Sequence, residues 1–340
     1  MALTRRALLA GLSSSAALAA CSGVRRRTVS PHQYQELYQH EEKGRDTVLV
    51  CMPETSQTEQ AWVGLSDEFA GEFGVVALRV EGKGDAELIA EAVARHQPRG
   101  VILMNNPTLA AYRSFERSRA GAQRLPNVSI MTSFLQAQAL GPNATGVAYE
   151  IPLITSVTQL RKVMASRTDR VGVVYRSRLR RFVALQTELA KREQISVTGE
   201  VVGEQPNESE IKRALRRLKQ RVDAIWVLND NQLLTPHLIS KGWLPGLNEK
   251  PWKPTVVGAE SLVRAELSFG TFAVLPDHTE LGTQAASVMF DIADEGWALP
   301  RGYKTQLPLS TKVTIDLVQA KERFELQPDA LAQVDRVLEG

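Results

Sequence analysis

The chain has little of what disulfides, metal centres and nucleic-acid surfaces require. It contains only two cysteines among 340 residues, and its five histidines show no paired ligand spacing. Its formal net charge is +3, far from the basic excess expected of a nucleic-acid binder. The sequence therefore predicts no bound metal, no cofactor and no nucleic-acid partner.

Motifs of common catalytic sites are also missing from the sequence. Residues 82–84 (Gly-Lys-Gly) lack the full phosphate-loop pattern, and no Gly-x-Ser-x-Gly elbow is present. We find no candidate nucleophile with a plausible base. The sequence therefore predicts that the protein is not an enzyme.

The N-terminal stretch has the layout of an export signal. Two arginines precede an apolar run over 7–20, which is too short to cross a bilayer comfortably. The run ends in Leu-Ala-Ala-Cys21, which resembles the lipobox of bacterial lipoproteins and implies that the Cys21 thiol carries a lipid such as palmitate. The alternative is an ordinary signal with a chance cysteine. We expect a lipoprotein signal peptide over 1–20 and a polar tether over 21–45.

Two details of this stretch bear on export and sorting. Arg5 and Arg6 fit either an ordinary basic n-region or a degenerate twin-arginine signal, and both export routes remain open. Ser22 stands where an aspartate would favour retention in the inner membrane, so sorting to the outer membrane is permitted. The sequence predicts a protein on the periplasmic face of the bacterial cell envelope, anchored through the lipid on Cys21.

Apolar runs alternate with amphipathic segments from residue 46 onward. Buried-strand patterns such as those over 48–52 and 100–104 are each followed by a helical pattern, and the same order begins again at residue 170. Such alternation predicts an α/β fold in which parallel sheets are flanked by helices.

This alternation also suggests how the chain is divided. We expect an N-terminal lobe over 46–150 and a C-terminal lobe over 151–275, with a hinge between them. Residues 276–340 are expected to form a crossing and a C-terminal helical segment, which could be shared between the lobes.

Several motifs occur together in one protein family. The set comprises residues 142–147, 170–175, 223–231, 258–263 and 280–286. Together they resemble the ABC-transporter substrate-binding proteins related to the tryptophan- and tyrosine-binding type. The resemblance covers nearly all of the chain from residue 46, and it implies a C-terminal helix over 331–338.

The resemblance implies a two-lobed periplasmic-binding-protein-like fold that binds a small molecule, often an amino acid, for delivery to a membrane permease. Short amides and hydroxyls at strand ends can hydrogen-bond such a ligand with little entropy to lose. Carried over by position, the implied ligand-binding residues are Asn106, Thr108, Ser177, Asn229, Asn231, Glu260, Ser261 and Asp277. The implied function is a lipid-anchored solute-binding protein of an ABC-type uptake system, with an amino acid or a carboxylate-like ligand.

Three alternatives remain open at the level of sequence. Asn229 and Asn231 either face a ligand or form a turn and a helix N-cap. The arginine-rich loop over 176–181 either binds a carboxylate or phosphate, or carries solvated charges at a helix start. The whole chain could also be an envelope lipoprotein that keeps the binding fold but acts as a sensor or protein-interaction module without transport.

Overall fold

The computed structural model describes residues 33–40, 42, 44–118, 124–138, 140–264, 266–267 and 269–339. The predicted signal peptide, Cys21 and Ser22 lie outside the described residues, as does the first part of the predicted tether. Within the described ranges, no helix combines the length and the apolar character that a membrane crossing needs.

The first sheet has six strands, all but the first of which run parallel. The strands are β1 (Glu36–His40), β2 (Thr47–Met52), β3 (Gly74–Arg79), β4 (Gly100–Met104), β5 (Asn127–Ile130) and β6 (Ala144–Gly146). Their order is β1-β3-β2-β4-β5-β6, and only β1 pairs antiparallel with its neighbour. Every residue of β4 is buried, as a strand covered by helices on both faces requires.

Four helices belong to the first sheet, and one of them comes from late in the chain. They are α1 (Ser56–Phe69), α2 (Ala86–His96), α3 (Asn106–Ser118) and α9 (His278–Asp294). Apolar side chains of α9, such as Leu281 and Met289, share one core with Leu65 of α1. The two helices approach so closely that a Cβ on Gly282 would lie 1.9 Å from the backbone oxygen of Ala61, so this contact requires glycine.

The second sheet has seven strands and is also mostly parallel. The strands are β7 (Arg170–Arg176), β8 (Ser196–Val202), β9 (Ala224–Trp226), β10 (Thr255–Val257), β11 (Phe272–Pro276), β12 (Thr311–Asp316) and β13 (Arg336–Leu338). Their order is β13-β12-β11-β10-β9-β7-β8. Strand β12 pairs antiparallel with β11 and parallel with β13, so β12 and β13 run opposite to the other five strands. Helices on both faces are α4 (Leu153–Val163), α5 (Arg180–Ala190), α6 (Glu208–Lys219), α7 (Pro236–Leu238), α8 (Leu244–Asn248) and α10 (Leu317–Arg323).

Apolar clusters cover both faces of each sheet, which gives the two-lobed α/β fold that the sequence predicts. Residues 277–339 contribute to both lobes, because α9 packs on the first sheet whereas β12, α10 and β13 belong to the second. The helix expected over 331–338 is wrong. A short 3₁₀ turn covers Ala330–Gln333, and Arg336–Leu338 form strand β13 because they pair with β12.

The chain passes between the lobes at three places that lie side by side. The first crossing follows β6, the second joins β11 to α9, and the third leads from α9 back to β12. Val147 in the first crossing forms a bridge with Gln306 in the third, and the Ala148 backbone N–H donates to the Gln306 oxygen at 2.9 Å. The Asp277 backbone N–H in the second crossing donates to the Ser310 oxygen in the third at 3.1 Å, so the three crossings are hydrogen-bonded to one another.

Candidate functional site

A cleft of about 870 Å³ lies beside these crossings and is lined by both lobes. The first lobe contributes the beginning of α1, and the second contributes the loop after β10 together with β12 and β13. The first wall includes Ser56, Gln57 and Gln60, and the second includes Glu260, Ser261 and Arg336. The cleft has the size of a site for a small organic molecule.

The first wall is the N-terminal turn of α1, which directly follows β2. Thr55 caps this helix, since its hydroxyl accepts a hydrogen bond from the Thr58 backbone N–H at 3.3 Å. Ser56 and Gln57 are exposed in the first turn, at the end of the helix where the macrodipole is positive. This wall therefore offers neutral donors and the positive end of a helix to the cleft, with the Glu59 carboxylate in the same turn.

A hydrogen-bonded pair of rings lies where two crossings meet the cleft. The Tyr149 hydroxyl is 3.0 Å from His278 Nε2, and both residues line the cleft. Burial lowers the pKa of His278, and the nearby Asp277 carboxylate only partly opposes this effect. Burial also raises the pKa of Tyr149 to about 12. Both side chains are therefore neutral near pH 7 and add hydrogen-bonding capacity without charge.

The second wall carries two ion pairs. Arg336 Nη1 lies 2.5 Å from Glu260 Oε1, which joins the start of β13 to the loop after β10. Lys312 Nζ lies 3.0 Å from Asp277 Oδ1, which joins β12 to the start of α9. Opposite charges thus occur in pairs, one pair on this wall and one that joins the wall to Asp277 beside the cleft.

A third ion pair in the same lobe is buried at the ends of β7 and β9. Arg176 Nε donates to Asp230 Oδ2 at 2.7 Å, and Nη2 donates to Oδ1 at 2.6 Å. The two residues are only 4% and 2% exposed. Arg176 Nη1 also lies 3.3 Å from the Glu204 carboxylate. This bidentate pair fixes the spacing of the two strand ends.

The chain is similar to known proteins at the level of solved structures. Neither a scan against protein-family models nor a search of the curated proteins finds a match. A ligand-free, open substrate-binding protein with adhesive properties from Clostridium difficile is 12% identical, with TM-score 0.63, over 87% of this chain and 100% of its own. A conserved domain protein from Vibrio cholerae is 17% identical, with TM-score 0.55, over 87% and 100%.

A third solved structure is the ABC domain in complex with L-Trp from Streptococcus pneumonia. It is 19% identical, with TM-score 0.53, and the match covers 86% of this chain and 100% of that chain. The chain has a periplasmic-binding-protein-like fold. The fold class predicted from the sequence is thereby confirmed, and the cleft lies between the lobes of this fold.

Two of the implied ligand residues line the cleft of this periplasmic-binding-protein-like fold. They are Glu260 and Ser261, and Ser261 is exposed there. Asp277 lies beside the cleft, where its Oδ1 accepts the Thr279 backbone N–H at 3.1 Å as the N-cap of α9 and also pairs with Lys312. Contact of these residues with a ligand stays a prediction.

Two implied ligand residues, Asn106 and Thr108, follow β4 and lie in the first turn of α3. Thr108 is fully buried, and its hydroxyl donates to the Asn105 backbone oxygen at 3.0 Å. Asn105 Oδ1 in turn accepts the Thr108 backbone N–H at 3.0 Å, so Asn105 is the local cap. Among the described residues, no hydrogen-bond partner lies within reach of the buried Asn106 Oδ1. Asn106 is therefore the member of this loop whose side chain retains an unused polar atom.

The implied residues at the ends of β7 and β9 surround the buried ion pair. Asn229 Nδ2 donates to the Gly258 backbone oxygen at 3.2 Å, and Asn231 is exposed. The local turn is held by Asp230, whose Oδ1 accepts the Gln232 backbone N–H at 3.0 Å. The Ser177 hydroxyl donates to the Glu204 carboxylate. The turn that the sequence offered to the two asparagines is thus held by the aspartate between them, and Thr235 is the N-cap of the helix that follows, α7.

Neither alternative for the arginine-rich loop over 176–181 describes all of it. Arg178, Arg180 and Arg181 are exposed, in agreement with solvated charges at a helix start. Arg176 is instead buried, and Asp230 supplies the carboxylate that one of the two alternatives assigned to a ligand. The sequence around Arg176 gives no local sign of this pairing, because Asp230 lies 54 positions further along the chain.

Several cleft residues were missed at the sequence level. Ser56 and Gln57 follow the end of β2, so the rule that ligands bind at strand ends would have found them. Tyr149 lies in the first crossing, His278 is the first residue of α9, and Arg336 lies in a strand that was expected to be helical. Within the described ranges, no group of three or more His, Cys, Asp or Glu side chains is placed to hold a metal ion.

Proposed function

We propose that the protein is a lipid-anchored solute-binding protein of an ABC-type uptake system, and that it captures a small organic ligand between its lobes. The observation that supports this most directly is the cleft of about 870 Å³ lined by both lobes beside three adjacent crossings. The proposal assigns binding, and no catalytic reaction, to this cleft.

Binding would act on the hinge by population shift. A ligand that touches α1 on one wall and the loop after β10 on the other makes both sets of contacts only when the lobes are close. Its differential affinity then favours the closed state over the open one. The hydrogen bonds among the crossings would guide this motion by keeping the crossings together.

An amino acid or a similar carboxylate is the ligand class that the cleft supports best. Its second wall presents charges of both signs at Glu260 and Arg336, and its first wall is the positive end of a helix. The Streptococcus pneumonia structure of the same fold holds L-Trp. L-tryptophan is therefore the first compound to test, followed by the other amino acids.

Ligand-dependent thermal unfolding is the decisive experiment. A ligand present at 100 times its Kd is expected to stabilise the protein by about 2.7 kcal/mol. The matched variants are Ser261→Trp, which fills the cleft, and Ser209→Trp, which adds the same side chain to an exposed position on α6. We expect the first variant to lose the shift and the second to keep it. Absence of any shift with amino acids and carboxylates would count against solute binding.

The anchor and the partner need separate experiments. We propose that Cys21 carries the lipid, so Cys21→Ser should move the protein from the membrane fraction to the soluble envelope fraction. Pull-down from envelope membranes should recover an ABC permease. Recovery of a different envelope protein without a permease would favour a sensor or protein-interaction module instead.

A further inference from the structure

Arg336 reaches the cleft from an element outside the implied ligand loops. It is the first residue of β13, the outermost strand of the second sheet. Its guanidinium nevertheless lies 2.5 Å from Glu260, one of the residues implied to bind ligand. The Arg336 and Glu260 side chains are 61% and 36% exposed, so a molecule entering the cleft can reach both.

This ion pair can be exchanged at little cost. Pairs between exposed side chains contribute only about 0 to 1 kcal/mol, because water solvates both partners when they separate. The same charges interact more strongly once a ligand and a second wall exclude water from them. An incoming molecule that offers each partner an opposite charge therefore replaces a weak contact with stronger ones.

Two other charged groups of the second wall already have partners. Lys312 is held by Asp277 at 3.0 Å, and Asp335 Oδ2 accepts the Val313 backbone N–H at 2.7 Å. Arg264 also lines the cleft and is exposed, so it is the natural comparison for Arg336. On the opposite wall, Ser56 and Gln57 lie at the positive end of α1, where an anion is favoured.

We propose that Arg336 determines specificity for ligands that carry a carboxylate together with an ammonium group. The Arg336 guanidinium passes from Glu260 to the ligand carboxylate, and Glu260 accepts the ligand ammonium. The carboxylate then lies between a guanidinium on one wall and a helix N-terminus on the other. This assignment rests on the proposed function, because it concerns the same cleft.

The test combines changes in the protein with changes in the ligand. The twenty amino acids are first measured singly by calorimetry, and the tightest binder is then compared with its carboxamide and its deamino acid. We expect Arg336→Gln to weaken the amino acid and the deamino acid about 10- to 100-fold, the effect of a charge-assisted hydrogen bond, and the carboxamide less than about threefold. Glu260→Gln should weaken the amino acid and the carboxamide but spare the deamino acid. Arg264→Gln tests the other arginine of the cleft lining. Arg217→Gln is the control, because Arg217 pairs with Glu200 outside the cleft lining, and it should change each affinity less than about threefold.

The possible results separate this inference from the proposed function. If no amino acid binds the wild-type protein, the inference falls, and the proposed function falls with it only if carboxylates fail to bind as well. If amino acids bind but Arg336→Gln weakens the acid and the carboxamide equally, Arg336 only supports the wall and the inference falls alone. The inference also falls alone if the carboxylate-dependent loss appears in Arg264→Gln instead.

Discussion

Two arginine–carboxylate pairs in the second lobe have the same chemistry and opposite surroundings. Arg176 and Asp230 are 4% and 2% exposed and make two hydrogen bonds of 2.7 and 2.6 Å. The side chains of Arg336 and Glu260 make one contact of 2.5 Å and are 61% and 36% exposed. The first pair is packed between strand ends, whereas the second faces the open cleft.

Burial decides what each pair can do. A buried charge that loses its partner cannot be rescued by water, so the Arg176 pair acts as a fixed spacer between β7 and β9. An exposed pair gains little from its own contact, so its partners are free to bind something else. A single lobe thus contains one arginine that holds the site in shape and one that is available to a ligand.

The largest expected effect comes from breaking the buried pair. Arg176→Met should lower the free energy of unfolding by about 3 to 5 kcal/mol, because Asp230 is left buried without a counter-charge. Urea unfolding followed by circular dichroism measures this change. Replacing both partners, as in Arg176→Met with Asp230→Leu, should recover much of the loss, since apolar groups leave no charge to solvate.

The exposed neighbour provides the control for that change. Arg178→Met removes an arginine two positions away whose side chain is exposed, and it should alter stability by less than about 0.5 kcal/mol. Equal effects of the two substitutions would show that burial does not distinguish these arginines.

A buried carboxyl without an arginine extends the comparison. Glu150 lies in the first crossing and its Oε1 accepts the Phe134 backbone N–H at 2.7 Å. Burial raises the pKa of Glu150 to about 7, and the bond from Phe134 only partly opposes this. Because the folded state holds its proton more tightly than the unfolded state, the stabilising contribution is present at low pH. It is lost as pH rises from about 4.5 to about 7.

Glu150→Gln tests this sign, because glutamine keeps an oxygen for Phe134 but does not titrate. Between pH 4.5 and 8, the free energy of unfolding of the variant should rise by about 3 kcal/mol relative to that of the wild type. Urea unfolding at four pH values in this range measures the difference. A difference that is constant with pH would mean that Glu150 titrates normally.

The elements that the sequence predicts best are those fixed by local pattern. The continuous apolar run of β4 identifies a buried strand without reference to any other part of the chain. Arg336 could not be placed this way, because its position depends on β13 pairing with β12 and on a partner 76 residues away. Residues 331–338 carry apolar side chains at helical spacing, yet Val337 and Leu338 find strand partners in β12. Long-range pairing overrode the local pattern there.

A half-buried neutral pair should have an intermediate effect. Tyr149→Phe removes the hydroxyl that lies 3.0 Å from His278 Nε2 and leaves a partly buried ring nitrogen without this bond. We expect a loss of about 1 kcal/mol, the usual net value of a neutral hydrogen bond. Thermal unfolding at pH 7, where both groups are neutral, measures it. A loss as large as that of Arg176→Met would place this pair among the fixed spacers.

The smallest effect is expected at the exposed pair, and this is where the comparison can fail most clearly. Arg336→Met should change the free energy of unfolding by less than about 1 kcal/mol, because Glu260 becomes solvated when it loses its partner. Urea unfolding without ligand provides the measurement, and Arg217→Met serves as the control because Arg217 lies 2.6 Å from Glu200 and outside the cleft lining. Similar small changes in both variants mean that a ligand defect of an Arg336 variant reflects lost recognition. A loss of several kcal/mol in Arg336→Met alone would instead make this arginine a second spacer, and the contrast between the two pairs would disappear.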